Sequence, residues 1–230
     1  MEKLIIVGLS TTARHVLSFV RMYRLYEVVG FAVNEEYRKE SSFLGLPVYS
    51  LEHLEEEYGE RKDFCVFVAM LWNHLNRDRR NLYEYCKSRG FRMANLISPT
   101  AVVRGTIAGD NVWIHDYVIT QNDAYLESNI AVMAFALIGA NTHVASHCFF
   151  GARSLLGGGS TVGEQSFIGI NATVFDDTRV GSRCIVGACT PVKRHLSDCS
   201  RYSTRSDDIT IKTYAEEVVE DKLVFSLNKR

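Results

Sequence analysis

The sequence predicts two folded parts, a small α/β domain followed by a parallel β-helix of triangular cross-section. Two observations predict this architecture. Apolar strands alternate with helices over about the first hundred residues, and further along the chain an apolar residue returns at every sixth position. We assign residues 1–98 to a Rossmann-like domain, residues 99–195 to the β-helix and residues 196–230 to a C-terminal tail.

The N-terminal domain is predicted from three apolar strands. Helices follow two of them, so the strands line up in parallel as in other α/β units. A short acidic helix after Ser50 completes the domain. The strands are Leu4–Gly8, Val28–Val33 and Asp63–Met70, and the helix after the last strand is Asn76–Phe91.

The first strand–turn–helix unit is a candidate phosphate site. Backbone N–H groups at the start of a helix attract anions, and Ser10, Thr11 and Thr12 are candidate caps of this helix. The turn, which begins at Gly8, is far from the G-x-G-x-x-G pattern of dinucleotide-binding proteins. A turn with a purely structural role is an equally good interpretation.

The six-residue repeat extends over twelve hexads, from Leu126 to Val192. Each hexad begins with an aliphatic or aromatic residue, and ten of them have a small residue four positions later. Three hexads make one coil of a triangular prism, so residues eighteen apart stack and the first residue of each hexad points inwards. The first positions are Leu126, Val132, Ile138, Val144, Phe150, Leu156, Val162, Ile168, Val174, Val180, Val186 and Val192.

Four apolar residues continue the six-residue step towards the N-terminus, but the last of them, Ile119, is seven residues before Leu126. A bulge within Gln121–Tyr125 would absorb the extra residue. The β-helix would then run from about Ala101 to about His195. The four residues are Ala101, Ile107, Trp113 and Ile119.

Composition argues against several classes of protein. The net charge is −1, from 26 basic and 27 acidic residues, and no Lys/Arg block indicates a nucleic-acid or anionic membrane partner. The apolar run at the N-terminus is too short to span a membrane. The six cysteines form no C-x-x-C pair, which favours a reduced cytoplasmic protein over disulfides or zinc.

The order of these parts resembles one family closely. Its members are bacterial sugar acyltransferases that join a Rossmann-like domain to a left-handed hexapeptide β-helix. They include sialic acid O-acetyltransferase-like proteins and N-acetyltransferases of nucleotide-linked amino sugars. The similarity covers about residues 3–195, and the segments that carry it are KLIIVGLSTTARHV, VVGFAV, VFVAM, RRNLYEYCKSRGF, LISPTAVV, FIGINATV and IVGACTPVK.

The resemblance implies a fold, an activity and an assembly. The β-helix would be left-handed and the protein a cytoplasmic homotrimer. It would move an acetyl group from acetyl-CoA, without a metal, to the amine of a UDP- or dTDP-linked amino sugar in surface-glycan biosynthesis. The nucleotide would bind in the N-terminal domain and acetyl-CoA in a groove between neighbouring helices.

The resemblance also implies which residues bind the two substrates. Three residues occupy positions that line the pantetheine channel in relatives, a fourth replaces a histidine near the thioester, and Lys193 is placed to meet the phosphates of coenzyme A. The first four are Gly158, Ile170, Ala188 and Phe149, and the residues expected at the nucleotide are Gly8, Ser10, Thr11, Thr12 and Asn34.

One departure from the family concerns its general base. The position of the catalytic histidine is occupied by Ala140 and that of its acidic partner by Asn141. His143 and His147, on either side of Val144, are candidate substitutes, and ordinary exposed histidines are the alternative interpretation. A missing base favours an amine acceptor over a hydroxyl, because the departing thiolate can accept the proton of an amine.

Other departures leave alternative functions open. The first turn lacks two family glycines, and the loop after the third strand begins with Met70 instead of glycine. The chain could therefore be a non-catalytic, sugar-nucleotide-binding scaffold trimer, or an O-acetyltransferase. A zinc hydratase on the same β-helix is disfavoured, because the spacing of His115, His143 and His147 does not match that family.

Overall fold

The structure is a computed structural model that describes residues 1–204. Residues 205–230 of the predicted tail lie outside the described part. An α/β domain packs against one face of a left-handed β-helix, which confirms the predicted fold class. Within residues 1–204, no helix is long and apolar enough to cross a membrane.

The N-terminal domain is a five-stranded sheet with three α-helices. Its strands are β1 (Lys3–Val7), β2 (Glu27–Val33), β3 (Ser42–Phe43), β4 (Leu46–Ser50) and β5 (Cys65–Val68). The helices are α1 (Thr11–Tyr23), α2 (Leu54–Glu57) and α3 (Arg77–Ser88), with short 3-10 turns at Glu35–Tyr37 and Arg61–Asp63. The strand order is β3-β4-β2-β1-β5, and β3 alone is antiparallel to its neighbour among these strands.

The β-helix consists of two-residue strands that stack into three parallel sheets. The first sheet, the covered face, contains β6 (Leu96–Ile97), β9 (Trp113–Ile114), β12 (Ala131–Val132), β15 (Phe149–Phe150), β18 (Phe167–Ile168), β21 (Ile185–Val186) and β23 (Arg201–Tyr202). The second, the apolar face, contains β7 (Val102–Val103), β10 (Ile119–Thr120), β13 (Leu137–Ile138), β16 (Leu155–Leu156), β19 (Thr173–Val174) and β22 (Pro191–Val192). The third, the polar face, contains β8 (Thr106–Ile107), β11 (Tyr125–Leu126), β14 (His143–Val144), β17 (Thr161–Val162) and β20 (Arg179–Val180).

The repeat has the predicted physical basis. From Leu126 to Val192, the first residue of every hexad is buried in one continuous apolar core. The small residues four positions later are buried at the corners. Two of the serine hydroxyls there donate to carbonyl oxygens at 2.9 Å, Ser160 to Phe175 and Ser166 to Gly181. Glycine is needed where coils touch: a Cβ on Gly139 would lie 2.6 Å from the carbonyl oxygen of Leu156.

The predicted bulge at Gln121–Tyr125 is wrong. The inward residue of β10 is Thr120 and that of β11 is Leu126, so the six-residue step continues unbroken through this region. The seven-residue step instead separates Ile107 from Ile114, and Leu126 therefore pairs with Ile107 across nineteen residues.

The error has a physical reason, because a buried threonine takes the place of an apolar residue. Thr120 is completely buried, and its hydroxyl accepts the N–H groups of Arg104 and Gly105, both at 3.2 Å. The polar atom therefore costs little inside the prism. Ile119 and Trp113 point outwards, Trp113 into the core of the N-terminal domain.

The ends of the β-helix also differ from the expected ones. The first strand of the covered face, β6, pairs with β9 and begins at Leu96, five residues before Ala101. The last strand of this face, β23, pairs with β21 and lies beyond His195. The helix is therefore longer at both ends than the apolar repeat indicates.

The two domains share a continuous apolar core. Three outward side chains of the covered face, Trp113, Ala131 and Phe149, are almost fully buried against the N-terminal domain. Trp72, in the loop after β5, packs edge-on against Phe149 with ring centroids 4.9 Å apart. This burial positions the N-terminal sheet over one side of the prism.

Polar groups from α3 border this core. The Arg79 guanidinium is buried and donates to the carbonyl oxygen of Cys148 at 2.8 Å, and burial lowers the pKa of Arg79 to about 10. At the neighbouring corner, Asn111, Asn129 and His147 stack in a ladder of side-chain hydrogen bonds, each 2.8 Å long. The ladder continues into the N-terminal domain, since Asn111 accepts the N–H of Val68 at 2.8 Å.

His147 is predicted to make folding sensitive to acid. Burial and the nearby guanidinium groups of Arg80 and Arg79 lower its pKa from 6.5 to about 4. The folded protein disfavours the imidazolium, so stability falls as the pH drops from about 6.5 towards 4, by at most about 3 kcal/mol. His147→Asn, which extends the asparagine ladder, should remove most of this loss in urea unfolding followed across this pH range.

The matched control is His53→Asn, which removes an exposed histidine of the N-terminal domain. This variant shows how much the pH dependence of stability changes when a histidine outside the domain junction is removed. If His147→Asn loses as much stability between pH 6.5 and 4 as the control and the unmodified protein do, His147 is not the source of the acid sensitivity.

Candidate active site

The carboxyl ends of β1, β2 and β5 meet at one edge of the N-terminal sheet, as predicted for a ligand site. Gly8 follows β1 with a φ of 120°, a left-handed conformation that suits glycine. Ser10 is the N-cap of α1, but its side chain makes no capping bond. The N–H groups of the first turn therefore remain directed out of the helix, with Thr11 and Thr12 beside them.

A cleft of about 430 Å³ opens at this edge. Its lining is polar, with the side chains of Asn34 and Asn81, two carboxylates, and no lysine or arginine. The amide of Asn34 donates to Glu52 at 2.9 Å, so it is held at the end of β2. The remaining lining residues are Glu36, Tyr37, Met70, Asp78, Leu82 and Tyr85.

A second, smaller cleft of about 240 Å³ lies on the other side of Tyr37. It is lined by Lys39, Glu40 and Ser42 together with Leu9 and Phe43, and Leu9 belongs to the first turn. Lys39 and Glu40 therefore place one positive and one negative side chain at this cleft, on the side of the first turn.

The loop after β5 holds a histidine that the sequence did not single out. His74, Leu75 and Asn76 are three consecutive residues with positive φ, between 46° and 62°. His74 Nδ1 lies 2.7 Å from Asp78 Oδ2, and Asp78 lines the larger cleft. The signal available in the sequence was a histidine four residues before an acidic residue, directly after a buried strand.

The two histidines proposed as substitute bases lie in different environments. His143 points outwards from the polar face, with about half of its side chain exposed. Its Nε2 lies 2.8 Å from Glu127 Oε1. His147 is buried at the corner between the domains, bonded to Asn129, so the structure does not bring it together with His143. Its surroundings favour a structural role.

Ala140 lies on the corner that precedes His143. This corner separates the apolar face from the polar face, and Asn141 takes the left-handed conformation there, with a φ of 54°. The N–H of Ala140 donates to Gln121 at 3.0 Å. His143 is thus three residues beyond Ala140 at the same turn of the chain.

The residues expected at acetyl-CoA lie on both edges of the apolar face. Ile170 and Ala188 are exposed and stack eighteen residues apart on the edge shared with the covered face. Gly158 lies on the other edge, where its N–H donates to Asp176 at 2.8 Å. Lys193 lies on that edge too, with Nζ 5.4 Å from the centre of the Phe175 ring.

Phe149 is separated from these residues. It belongs to the covered face, is only 3% exposed, and stacks on Phe167 with parallel rings 5.1 Å apart. Trp72 covers it from the N-terminal domain. In the chain by itself, Phe149 therefore supports the domain junction and does not line either edge of the apolar face.

Within residues 1–204, no group of three or more histidine, cysteine, aspartate or glutamate side chains is arranged to hold a metal ion. His115, the third histidine considered for zinc, lies in the domain junction against Phe19 and Trp113.

No protein-family model matches the chain, and no curated protein sequence matches it significantly. Solved structures match it well. PerB from Caulobacter crescentus, in complex with CoA and GDP-perosamine, has a TM-score of 0.76 and 26% identity, over 93% of this chain and 98% of that chain. The acetyltransferase domain of PglB from Neisseria gonorrhoeae has a TM-score of 0.76 and 23% identity, over 89% of this chain and 97% of that chain.

A third structure, WeeI from Acinetobacter baumannii, has a TM-score of 0.74 at 14% identity, over 87% of this chain and 96% of that chain. These matches extend across both domains, so they concern the order of the domains as well as the β-helix. The chain therefore shares its fold and domain order with the hexapeptide-repeat sugar N-acetyltransferases, the family that its sequence resembles.

Proposed function

We propose that the protein transfers the acetyl group of acetyl-CoA to the amine of a nucleotide-linked amino sugar, as a step of surface-glycan biosynthesis. The observation that carries this proposal is the match to PerB across nearly the whole length of both chains. PerB binds CoA and GDP-perosamine, so it holds both classes of ligand that the reaction needs. The six cysteines, all unpaired, support a reducing compartment such as the cytoplasm.

The acceptor would bind at the carboxyl edge of the N-terminal sheet. Its diphosphate would meet the free N–H groups at the start of α1, near Gly8, Ser10, Thr11 and Thr12. The larger cleft, with Asn34 and two carboxylates, suits uncharged hydrogen-bond donors such as sugar or base groups. UDP- and dTDP-linked amino sugars remain the candidate substrates, and GDP-linked ones join them because PerB binds GDP-perosamine.

The apolar face supports assembly into a homotrimer. Its outward residues form a column in which Val102, Ile119 and Leu155 are exposed. Tyr117 and Phe135 stack beside it, with ring centroids 5.0 Å apart, and are also exposed. The N-terminal domain covers another face and the third is polar, so this face is the one suited to bury against copies of the chain.

The donor site would form at the edges of that interface. Ile170 and Ala188 lie on one edge of the apolar face, and Gly158 and Lys193 lie on the other. When apolar faces of neighbouring copies meet, these edges approach each other and leave a groove. The pantetheine arm of acetyl-CoA would follow the small residues, and Lys193 would meet its phosphates.

His143 is the proposed proton acceptor. In the reaction, the amine nitrogen forms a bond to the acetyl carbon, the thioester carbon–sulfur bond breaks, and the amine proton passes through His143 to the departing thiolate. His143 suits this role because its side chain is open on the polar face, three residues beyond Ala140. A non-catalytic binding trimer is the rival function, favoured by the absence of histidine at Ala140 itself.

Binding cannot separate these two functions. Variants of the Caulobacter crescentus enzyme in which one histidine is replaced by alanine or asparagine were crystallised with CoA and GDP-perosamine bound. In that enzyme, both ligands therefore bind without the histidine. Turnover has to be measured.

Turnover is predicted with at least one nucleotide-linked amino sugar. Free thiol released from acetyl-CoA should rise with a panel of UDP-, dTDP- and GDP-linked amino sugars, and the product should carry one acetyl group in place of a hydrogen. His143→Ala should lower kcat by about 10²-fold, at the low end for a general base, because thiolate can accept the proton of an amine.

The control for this measurement is His53→Ala, which removes an exposed histidine of the N-terminal domain. Thiol release that is absent across the panel, while CoA and a nucleotide sugar still bind, would contradict catalysis and support the binding trimer. Full activity of His143→Ala would remove this residue as the proton acceptor.

Assembly gives a separate prediction. The protein should elute with three times its chain mass of 26.0 kDa in light-scattering chromatography. Leu155→Glu places a charge in the middle of the apolar face and should dissociate the trimer, because an unpaired buried charge is costly.

Thr161→Glu is the matched control, since Thr161 points outwards from the polar face one strand further along the chain. This variant should keep the mass of the trimer. If the control dissociates the trimer and Leu155→Glu does not, the interface lies on the polar face, which would contradict the proposal.

A further inference from the structure

The carboxylate of Glu127 connects two neighbouring coils on the polar face. One oxygen, Oε1, lies 2.8 Å from His143 Nε2. The other, Oε2, accepts the N–H of Ser146 at 2.9 Å and its hydroxyl at 2.8 Å. Both oxygens therefore have partners, and the carboxylate has little freedom to turn.

The backbone holds this arrangement in place. Tyr125 of β11 pairs directly with His143 of β14, and their rings pack edge to face at 5.5 Å. Glu127 follows β11 in one coil, and Ser146 follows β14 in the next coil along the chain. Although burial opposes it, bonds from Ser146 and His143 keep the pKa of Glu127 below its usual value, so it is ionised when the imidazole is neutral.

An ionised carboxylate accepts hydrogen bonds and cannot donate them. A neutral His143 must therefore carry its proton on Nε2, where it donates to Glu127. The lone pair is then on Nδ1, for which the described residues supply no hydrogen-bond partner. About half of the side chain is exposed, and it borders a cleft of about 250 Å³ with Thr161 and Arg179.

We propose that Glu127 is a positioning residue for the reaction, which fixes the tautomer of His143 so that Nδ1 faces the acceptor amine. This inference rests on the proposed N-acetyltransferase function. Nδ1 takes the amine proton as the new carbon–nitrogen bond forms and the carbon–sulfur bond breaks. The proton then passes to the thiolate, which leaves as free coenzyme A. Glu127 itself keeps its charge throughout.

The test is Glu127→Gln, measured by ring ¹⁵N shifts and by kinetics. Two donors of Ser146 need the remaining amide oxygen, so the NH₂ group faces His143 Nε2 and makes that nitrogen an acceptor. The proton of the neutral ring should therefore move to Nδ1. We expect kcat to fall at least about tenfold, with KM for acetyl-CoA changed less than about twofold.

Two further variants isolate the effect. Ser146→Ala removes the hydroxyl but keeps the backbone bond to Glu127, so the tautomer should stay and kcat should fall only a few-fold. Glu60→Gln makes the same chemical change at an exposed glutamate paired with Lys62 and should leave both readouts unchanged. The shifts of His143 are assigned by their loss in His143→Ala.

The outcomes are distinct. An unmodified protein without thiol release on any acceptor would overturn the proposed function, and the positioning role with it. With an active protein, an unchanged tautomer or an unchanged kcat in Glu127→Gln would overturn the positioning role alone. A loss in Ser146→Ala as large as in Glu127→Gln would show that Glu127 acts by anchoring the corner, which also overturns it.

Discussion

The structure depends on backbone hydrogen bonds between successive coils of the β-helix. These bonds join residues about eighteen positions apart, as when the N–H of Leu155 donates to Ala172 and Leu155 pairs with Leu137 and Thr173. Outward residues of successive coils therefore stand in columns, three columns to the prism. Most members of a column share one chemical character, which lets a short repeat produce three different surfaces.

The three surfaces differ in chemistry because of this stacking. The column that includes Trp113 and Phe149 is apolar and aromatic, and the N-terminal domain is fixed on it. The column around Leu155 is apolar and exposed, which suits a second copy of the chain. The column of Tyr125 and His143 is polar, and residues at its corners bond across coils. The proposed chemistry lies on this polar face, at His143 and Glu127.

The domain junction illustrates the cost of this arrangement. A guanidinium and an imidazole are buried beside the aromatic core. The guanidinium of Arg79 donates to a carbonyl oxygen, and the imidazole of His147 is bonded to the asparagine ladder, with Glu164 Oε1 3.6 Å from its Nε2. Because burial lowers the pKa of His147, this junction is predicted to weaken in acid. The shared apolar core holds the N-terminal sheet against the covered face of the β-helix.

The fold could be predicted from the sequence because the repeat is local and regular. The prediction from the sequence failed where a long-range contact determines which residue is buried or paired. Thr120 replaces Ile119 as the inward residue because backbone N–H groups of the preceding coil bond its hydroxyl. The burial of His147 depends on a helix of the other domain, and the pairing of His143 with Glu127 joins residues sixteen apart. A six-residue pattern contains neither contact.

The central claim is that the exposed apolar column is where copies of the chain meet and form the donor groove. A crystal structure of the protein with coenzyme A would test it most directly. We predict three copies with their apolar faces turned inwards, and the pantetheine arm between two copies beside Ile170 and Ala188 of one of them. Coenzyme A held within a single copy, with the apolar face open to solvent, would contradict the claim.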